Sequence, residues 1–487
     1  MNSYNRSTSK TRNCFLRSLV LAAALGPLLV SCNTQPAVKP TASASMPISS
    51  LDPQRERELN AALAAVQSNP VRALASLSAL AIVDGKVVYQ GAFGDRYIDL
   101  ASPASSKRAT PDTLYRIASI SKLITTLGVL RLVEEGKLLL DRDVSDYLGY
   151  TLRNPSFPND VITARMLLTH TSSLRDEGGY FWDSKSALRD VLLPGGSLYG
   201  KGEMWSAKAK PGAYFEYANL PWGVLGTVME RASGERFDRL MKRVVFDPLS
   251  LSGGFNPAEF SAETLAKTAT LYRKRSEVNG KEIWNPTGPW VPQVDDYSRS
   301  APTPRADASY AIGSNGTAFG PQGAARVSAI DLSVMMLMLM NDGMHSGRVF
   351  LSKRSVDEML SVQWRTNGKS GAESNGETGY GGAKDAMNAW GLGTQHFLDK
   401  TGKGAGDRLV DAGGFTAVGH LGDAWGLTSA FVFDRTTKNG MIFMHGGPAF
   451  DPEGYMGQYS SLYRHEELAL SALYKFAIAD RPLPAKK

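Results

Sequence analysis

The sequence predicts an α+β fold of α/β-sandwich form: an antiparallel sheet flanked by helices, with an inserted, mostly helical lobe. Three observations carry this prediction. Strand-like runs lie near the start of the body and return after Gly419, so the two ends are expected to share one sheet. The stretch between them is rich in helix signals and Pro/Gly-containing loops. Length and composition supply the third: 487 residues, 43% hydrophobic and 21% charged, can bury a large core and exclude wholesale disorder.

Taken in order, Asp52-Pro53 opens an amphipathic helix running to about Ser68, with Asp as N-cap and Pro in the first turn. Strand-like runs at 76–83 and 86–93 are joined by Asp84-Gly85, a two-residue hairpin signal. Residues 112–136 read as a turn leading into a long buried helix with Gly136 as its C-cap. Short helices and Pro/Gly-rich loops fill residues 140–300. Ser328-Ala329-Ile330-Asp331 is a capping box ahead of the apolar run 332–340, and its Met335, Met336, Met338 and Met340 read as core packing. Residues 366–384 are rich in Gly, Asn, Ser and Glu and read as a mobile surface loop. Further strands at 427–433 and 441–444 flank a turn, and a helix over about 460–478 closes the chain. One domain is thus expected over 51–480, with a sheet lobe from 51–110 and 300–480 and a helical lobe from 111–299.

The formal charge is +7, but Arg6, Lys10, Arg12 and Arg17 belong to the N-terminal leader, which leaves the body at +3. Nothing in that balance points to nucleic acid. Only Cys14 and Cys32 occur, so a body with at most one of them has no internal disulfide and no cysteine-rich metal site. A basic stretch followed by an apolar run at 19–30 is shorter than the roughly 20 residues that span a bilayer, and it reads as a signal peptide over 1–31. Leu29-Val30-Ser31-Cys32 resembles a bacterial lipobox, which implies lipidation of Cys32. Buried acyl chain contributes about 0.8 kcal/mol per CH₂, so several chains on one residue would anchor stably. An ordinary cleaved signal with an incidental cysteine is the alternative. Residues 32–50, rich in Pro, Thr, Ala and Ser, read as a flexible tether. The expected location is the cell envelope, exported and lipid-anchored on the periplasmic side.

Several chemistries are absent. The chain has no Gly-x-Ser-x-Gly elbow and no His-Glu-x-x-His helix, and Gly368-Lys369-Ser370 lacks the earlier glycine of a phosphate loop. Its histidines, at 170, 345, 396, 420, 445 and 465, show no ligand spacing, so neither a metal nor an organic cofactor is expected. What remains is Ser119-Ile120-Ser121-Lys122. Ser-x-x-Lys alone is unspecific, and a second copy, Ser7-Thr8-Ser9-Lys10, lies in the leader. Ser119, however, opens an apolar helix, where backbone N–H groups have no partner, and Lys122 shares its helix face. Burial there would favour the neutral amine and make a base of it. Tyr217-Ala218-Asn219 adds a phenol able to exchange protons with a lysine and an amide able to orient a carbonyl. His420-Leu421-Gly422 begins a strand, whose next residue, Asp423, could offer its N–H beside that of Ser119 as an oxyanion hole; one such donor is worth about 2.7–4 kcal/mol.

Ser119-x-x-Lys122, Tyr217-x-Asn219 and His420-x-Gly422, in this order and roughly 100 and 200 residues apart, resemble the three motifs of the serine β-lactamase superfamily. The flanking segments Leu114 to Ser119, Leu167 to Ser172, Asn219 to Gly226, Trp390 to Gly393 and Gly419 to Gly422 resemble its class C β-lactamase-like branch, which includes D-Ala-D-Ala carboxypeptidases, D-aminopeptidases and esterases. The resemblance implies a β-lactamase/transpeptidase-like fold. It also implies Ser119 as acylated nucleophile, Lys122 with Tyr217 as the proton-transfer pair, and Asn219, His420, Gly422 and Asp423 as substrate-binding residues. Which of Lys122 and Tyr217 is the base stays open. His445-Gly446-Gly447 is a rival for the third motif, and His170 reads as structural. The third motif departs from the family pattern, which has lysine first and a hydroxyl residue next. Histidine and leucine there give a carboxylate no fixed partner and favour esters, amides or uncharged substrates. The expected activity is therefore a serine hydrolase acting on a small molecule or peptide. A catalytically silent, lipid-anchored binding protein of the same fold is the alternative.

Overall fold

The structure is a computed structural model and describes residues 51–479 apart from Gly280, Gly381, Gly382, Lys403 and Trp425. The leader, Cys14, Cys32 and the tether at 32–50 lie outside the described residues.

Asp52 caps the first helix, α1 (Pro53–Gln67), by accepting the backbone N–H groups of Gln54 and Arg55. The chain then forms the hairpin β1 (Leu74–Val83) and β2 (Lys86–Tyr97), with Asp84 and Gly85 both at positive φ, as a tight turn of this type requires. Short β3 (Lys107–Arg108) follows, and then α2 (Ser121–Glu134), α3 (Leu220–Ser233) and α4 (Ala329–Met340). The last part supplies β4 (Trp364–Arg365), β5 (Ala389–Trp390), β6 (Gln395–Phe397), β7 (Ala417–Ala424), β8 (Leu427–Asp434), β9 (Asn439–Pro448) and α5 (Arg464–Leu473).

These strands make one nine-stranded antiparallel sheet in the order β4-β5-β6-β7-β8-β9-β1-β2-β3. Pairing of β1 with β9, Leu80 opposite Ile442, joins the two ends of the chain. Both faces are covered, so the central strands read as continuous apolar runs. Along β9, Met441 and Phe443 pack with Leu59 and Leu63 of α1 and Leu470 and Leu473 of α5. Ile442 and Met444 pack on the opposite face with α2 and α4. The four methionines of α4 are buried in that second core, and Ser328 and Asp331 form the capping box the sequence predicts.

Two elements differ from the sequence expectation. The last helix begins at Arg464, because Ser460 and Ser461 spend their hydroxyls on Glu467 and on the Lys384 carbonyl, and Glu466 accepts the Tyr463 N–H. Within the middle segment, residues 271–294 hold two short strand pairs, Leu271–Arg273 with Val291–Val294 and Arg275–Val278 with Lys281–Trp284. Their density of Arg, Lys and Glu hides any apolar alternation. Leu470→Ala, at a fully buried position, is expected to cost about 2–5 kcal/mol; a lowered urea midpoint at unchanged slope would show it.

Candidate active site

Backbone geometry fixes the nucleophile first. Tyr115 and Arg116 pair with Val327 and Arg326, and Ile117 donates its N–H to the Ala325 carbonyl at 3.0 Å. Ala118 then takes φ 48°, a left-handed conformation costing a non-glycine residue about 1–2 kcal/mol. The kink delivers Ser119 into a single 3₁₀ turn directly ahead of α2, half-buried at the mouth of a cleft. Gly422 of β7 packs against this kink. A Cβ there would lie 2.5 Å from the Ile117 carbonyl oxygen and collide with Ser429 Oγ, so only glycine lets the strand come this close.

Lys122 lies one turn into the helix with no exposed surface. Its Nζ donates to Ser119 Oγ at 3.0 Å, to Asn219 Oδ1 at 2.8 Å and to the Gln322 carbonyl at 3.2 Å. Burial pulls its pKa down to about 7, and the Asp176 carboxylate opposes that shift. Asp176 is the hub of the next layer. Its oxygens accept the backbone N–H groups of Asn219 and Leu220, at the start of α3, and the Asn219 Nδ2 at 2.9 Å. The Asn219 carboxamide is thereby turned so that its oxygen faces the amine.

Tyr217 reaches the site from an aromatic wall, packing with Phe215, Trp364 and Trp390. Its ring centroid is 4.9 Å from Lys122 Nζ. Burial pushes the phenol far above its usual range, opposed by the nearby Ser119 side chain. His170, with its ring 4.4 Å from that of Tyr217, accepts the Ala218 N–H at 3.2 Å and so binds loop backbone, the role read from sequence.

His420 is buried on β7 against Trp390 and Tyr217. Its Nδ1 donates to the Leu421 carbonyl at 2.5 Å, and burial holds its pKa at about 3 with Lys122 adding to the shift, so the ring is neutral near pH 7. The rival His445 sits elsewhere: it stacks on Phe443 and hydrogen-bonds Thr428 Oγ1 inside the sheet. Strand β6 pairs with only Ala417, Val418 and Gly419 of β7, which leaves the edge from His420 onward without a strand on that side. A cleft of about 570 Å³ collects Ser119, Tyr217, Asn219, His420, Gly422 and Asp423, with Lys122 beneath its floor.

Sequence reasoning missed Asp176, Tyr380, Arg116 and Glu466. Tyr380 comes from the 366–384 loop and lines the cleft with Tyr217 and Asn219. That loop is tied to the Tyr217 segment by Phe215 N–H to the Asn375 carbonyl (3.0 Å) and Glu377 N–H to the Phe215 carbonyl (2.9 Å). Arg116 lies within the Leu114 to Ser119 flank, whereas Asp176, Tyr380 and Glu466 carry no local motif and reach the site through the tertiary fold. Among the described residues no group of three or more His, Cys, Asp or Glu side chains is placed to hold a metal ion.

This constellation sits in a chain whose residues 63–457 match the beta-lactamase family model. The chain belongs to the beta-lactamase family. Protein flp of Staphylococcus aureus (strain N315) is 28% identical over 180 residues, 36% of this chain and 33% of that protein. Penicillin-binding protein 4* of Bacillus subtilis (strain 168) is 31% identical over 177 residues, 36% of each chain. The aligned stretch thus spans about a third of these relatives' length. The octameric penicillin-binding protein homologue from Pyrococcus abyssi shares the fold, with a TM-score of 0.55 at 21% identity over 87% of this chain and 76% of that one. Within this beta-lactamase-family fold, Asp176 and Lys122 are electrostatically coupled. Asp176→Asn is expected to lower the Lys122 pKa further, because the carboxylate stabilises the ammonium. An NMR pH titration of the Lys122 amine should move to lower pH; an unshifted titration would break the coupling.

Proposed function

We propose that this protein is a serine hydrolase that acts on an ester or amide through an acyl-enzyme at Ser119. One observation carries the reading: a fully buried amine stands 3.0 Å from the Ser119 hydroxyl with its pKa drawn down to about 7. A neutral Lys122 keeps two N–H bonds, to Asn219 Oδ1 and the Gln322 carbonyl, and turns its lone pair to the Ser119 O–H. It takes that proton as Oγ attacks the substrate carbonyl carbon. The N–H groups of Ser119 and Asp423 hold the oxyanion, the first at a helix start and the second on the unpaired stretch of β7. Collapse of the tetrahedral adduct breaks the bond to the leaving group, which receives a proton from the Lys122 ammonium through the Tyr217 phenol. Tyr217 suits that relay, since burial keeps it a neutral phenol and its ring lies 4.9 Å from Lys122 Nζ. Water then repeats the sequence on the acyl-enzyme, releasing the acid and restoring Ser119.

Lys122 is the base in this reading, since a phenol held above its normal pKa is a poor source of phenolate near pH 7. Asn219 positions it, with its carboxamide shared between Lys122 and Asp176. The Bacillus subtilis relative is by name a binder of penicillin, which carries a carboxylate; a neutral His420 on β7 gives that group no charge partner here. We place the enzyme in the cell envelope, exported by residues 1–31 and held through lipid on Cys32, on the strength of the leader alone.

A fluorophosphonate probe is expected to label the wild-type chain and not Ser119→Ala; labelling of neither would favour a silent binding protein. Lys122→Ala should lower kcat by about 10²–10⁴. kcat/KM should rise with pH through about 7 as the amine loses its proton, and a profile flat across that range would remove Lys122 as the base.

A further inference from the structure

We infer that Tyr180 and Tyr380 form an aromatic subsite for the leaving group, so that the alcohol or amine released from the substrate carries an aromatic ring. The inference rests on the hydrolase reading above and names one half of the substrate of that same site.

The path of the proton is the first observation. The tetrahedral adduct expels its leaving group as the Tyr217 phenol hands over a proton, so the departing oxygen or nitrogen stands beside that phenol. Whatever is attached to it occupies the space next to Tyr217. Tyr380 supplies one wall of that space: its ring centroid is 4.7 Å from that of Tyr217, edge to face at 65°. Tyr180 lines the same cleft and stands close enough to add to the upward pKa shift of both phenols.

The open surface of the two rings is the second observation. Tyr180 is 41% exposed and Tyr380 48% exposed, although both line a concave site. A ring left open inside a cleft offers its face or edge to a second ring. Neither belongs to a slack segment. Ahead of Tyr180, the Gly179 N–H bonds the Asp176 carbonyl at 2.8 Å; after it, the Trp182 N–H bonds Thr317 Oγ1 at 3.1 Å. Tyr380 lies between Glu377, whose N–H bonds the Phe215 carbonyl at 2.9 Å, and Ala383, whose N–H bonds the Tyr380 carbonyl at 3.0 Å. Rings held in this way lose little conformational entropy when a ligand arrives.

The other side of the cleft has a different lining. Met456 forms a backbone bridge with Tyr463, whose hydroxyl donates to Asp423 Oδ2 at 3.2 Å. That side belongs to β7, which holds the oxyanion, and it is left to the acyl group. The aromatic pair thus reads the part of the substrate that departs first.

The test uses the full chain with 2-phenylethyl acetate, ethyl acetate and ethyl 3-phenylpropanoate, which carry a ring on the alcohol, no ring, and a ring on the acyl group. kcat/KM for 2-phenylethyl acetate should exceed that for ethyl acetate at least about tenfold, and ethyl 3-phenylpropanoate should gain far less. Both acetates form the same acetyl-enzyme, so the preference belongs to acylation. Tyr380→Ala and Tyr180→Ala should each shrink the ratio and Tyr380→Phe should keep it, with fluorophosphonate labelling of Ser119 reporting an intact site. Equal turnover of the two acetates, an equal gain from the ring on the acyl side, or a ratio unchanged in both alanine variants overturns the inference and leaves the hydrolase reading standing. A wild-type chain neither labelled nor active on any of the three esters would instead strike that reading. A separate arm, independent of turnover, uses saturation-transfer NMR on Ser119→Ala with 2-phenylethyl acetate and ethyl acetate: selective binding of the first supports the subsite, and equal or absent binding of both overturns it.

Discussion

An amine sealed away from water sets the terms for the whole cleft. Lys122 has no exposed surface, so its charge survives only through what surrounds it: a hydroxyl, a carboxamide oxygen and a backbone carbonyl. These come from the first turn of the nucleophile helix, the start of α3 and the segment that leads to α4. Each must be held at hydrogen-bonding distance, since a buried donor without a partner costs about 1–3 kcal/mol and a charged one more. The need to satisfy one ammonium thus fixes the relative placement of three elements. The Asp176 carboxylate completes the arrangement at one remove, balancing desolvation so that the amine titrates near neutrality and is not stripped of its proton altogether.

The sheet contributes differently, through a close approach and an unused edge. Gly422 brings β7 onto the Ala118 kink, and the kink accepts a strained φ to aim Ser119 into the cleft. Strain of this kind persists only where the surroundings over-determine it. Here the Ile117 N–H is fixed to Ala325 on one side and the apolar α2 is buried on the other. Because β6 stops opposite Gly419, the backbone beyond it presents donors and acceptors to the cleft, where an extended substrate can take the place of a strand.

Much of this was legible in the sequence wherever the determinant was local. Asp52-Pro53, Asp84-Gly85 and the Ser328/Asp331 box are short-range devices, and each forms as its chemistry dictates. The three spaced motifs named residues that the fold collects around one cavity. What escaped is what only the tertiary fold creates. Asp176 lies 43 residues from the asparagine it orients, and nothing near it in sequence marks a carboxylate that caps a distant helix. Tyr380 sits in a polar, glycine-rich loop whose composition suggests solvent, yet backbone bonds from Asn375 and Glu377 of that loop to Phe215 hold it over the cleft. Glu466 looks like any acidic residue in a first helical turn, where the helix dipole favours it, and only burial distinguishes it.

Electrostatics separates the reaction from its recognition. The proton-transfer group relies on a lysine that loses charge, a phenol that never gains one and a carboxylate kept at one remove. The rest of the cleft reverses the polarity expected of a site that grips a carboxylate: its β7 histidine is neutral, and its far wall carries acids. Burial disfavours the charged form of both Asp423 and Glu466, so each holds its proton more tightly than a free carboxyl does. The side chains on that wall are not ones the proton transfers use. The two can vary independently, since none of Asp423, Glu453 and Glu466 lends its side chain to the hydrogen bonds of Lys122.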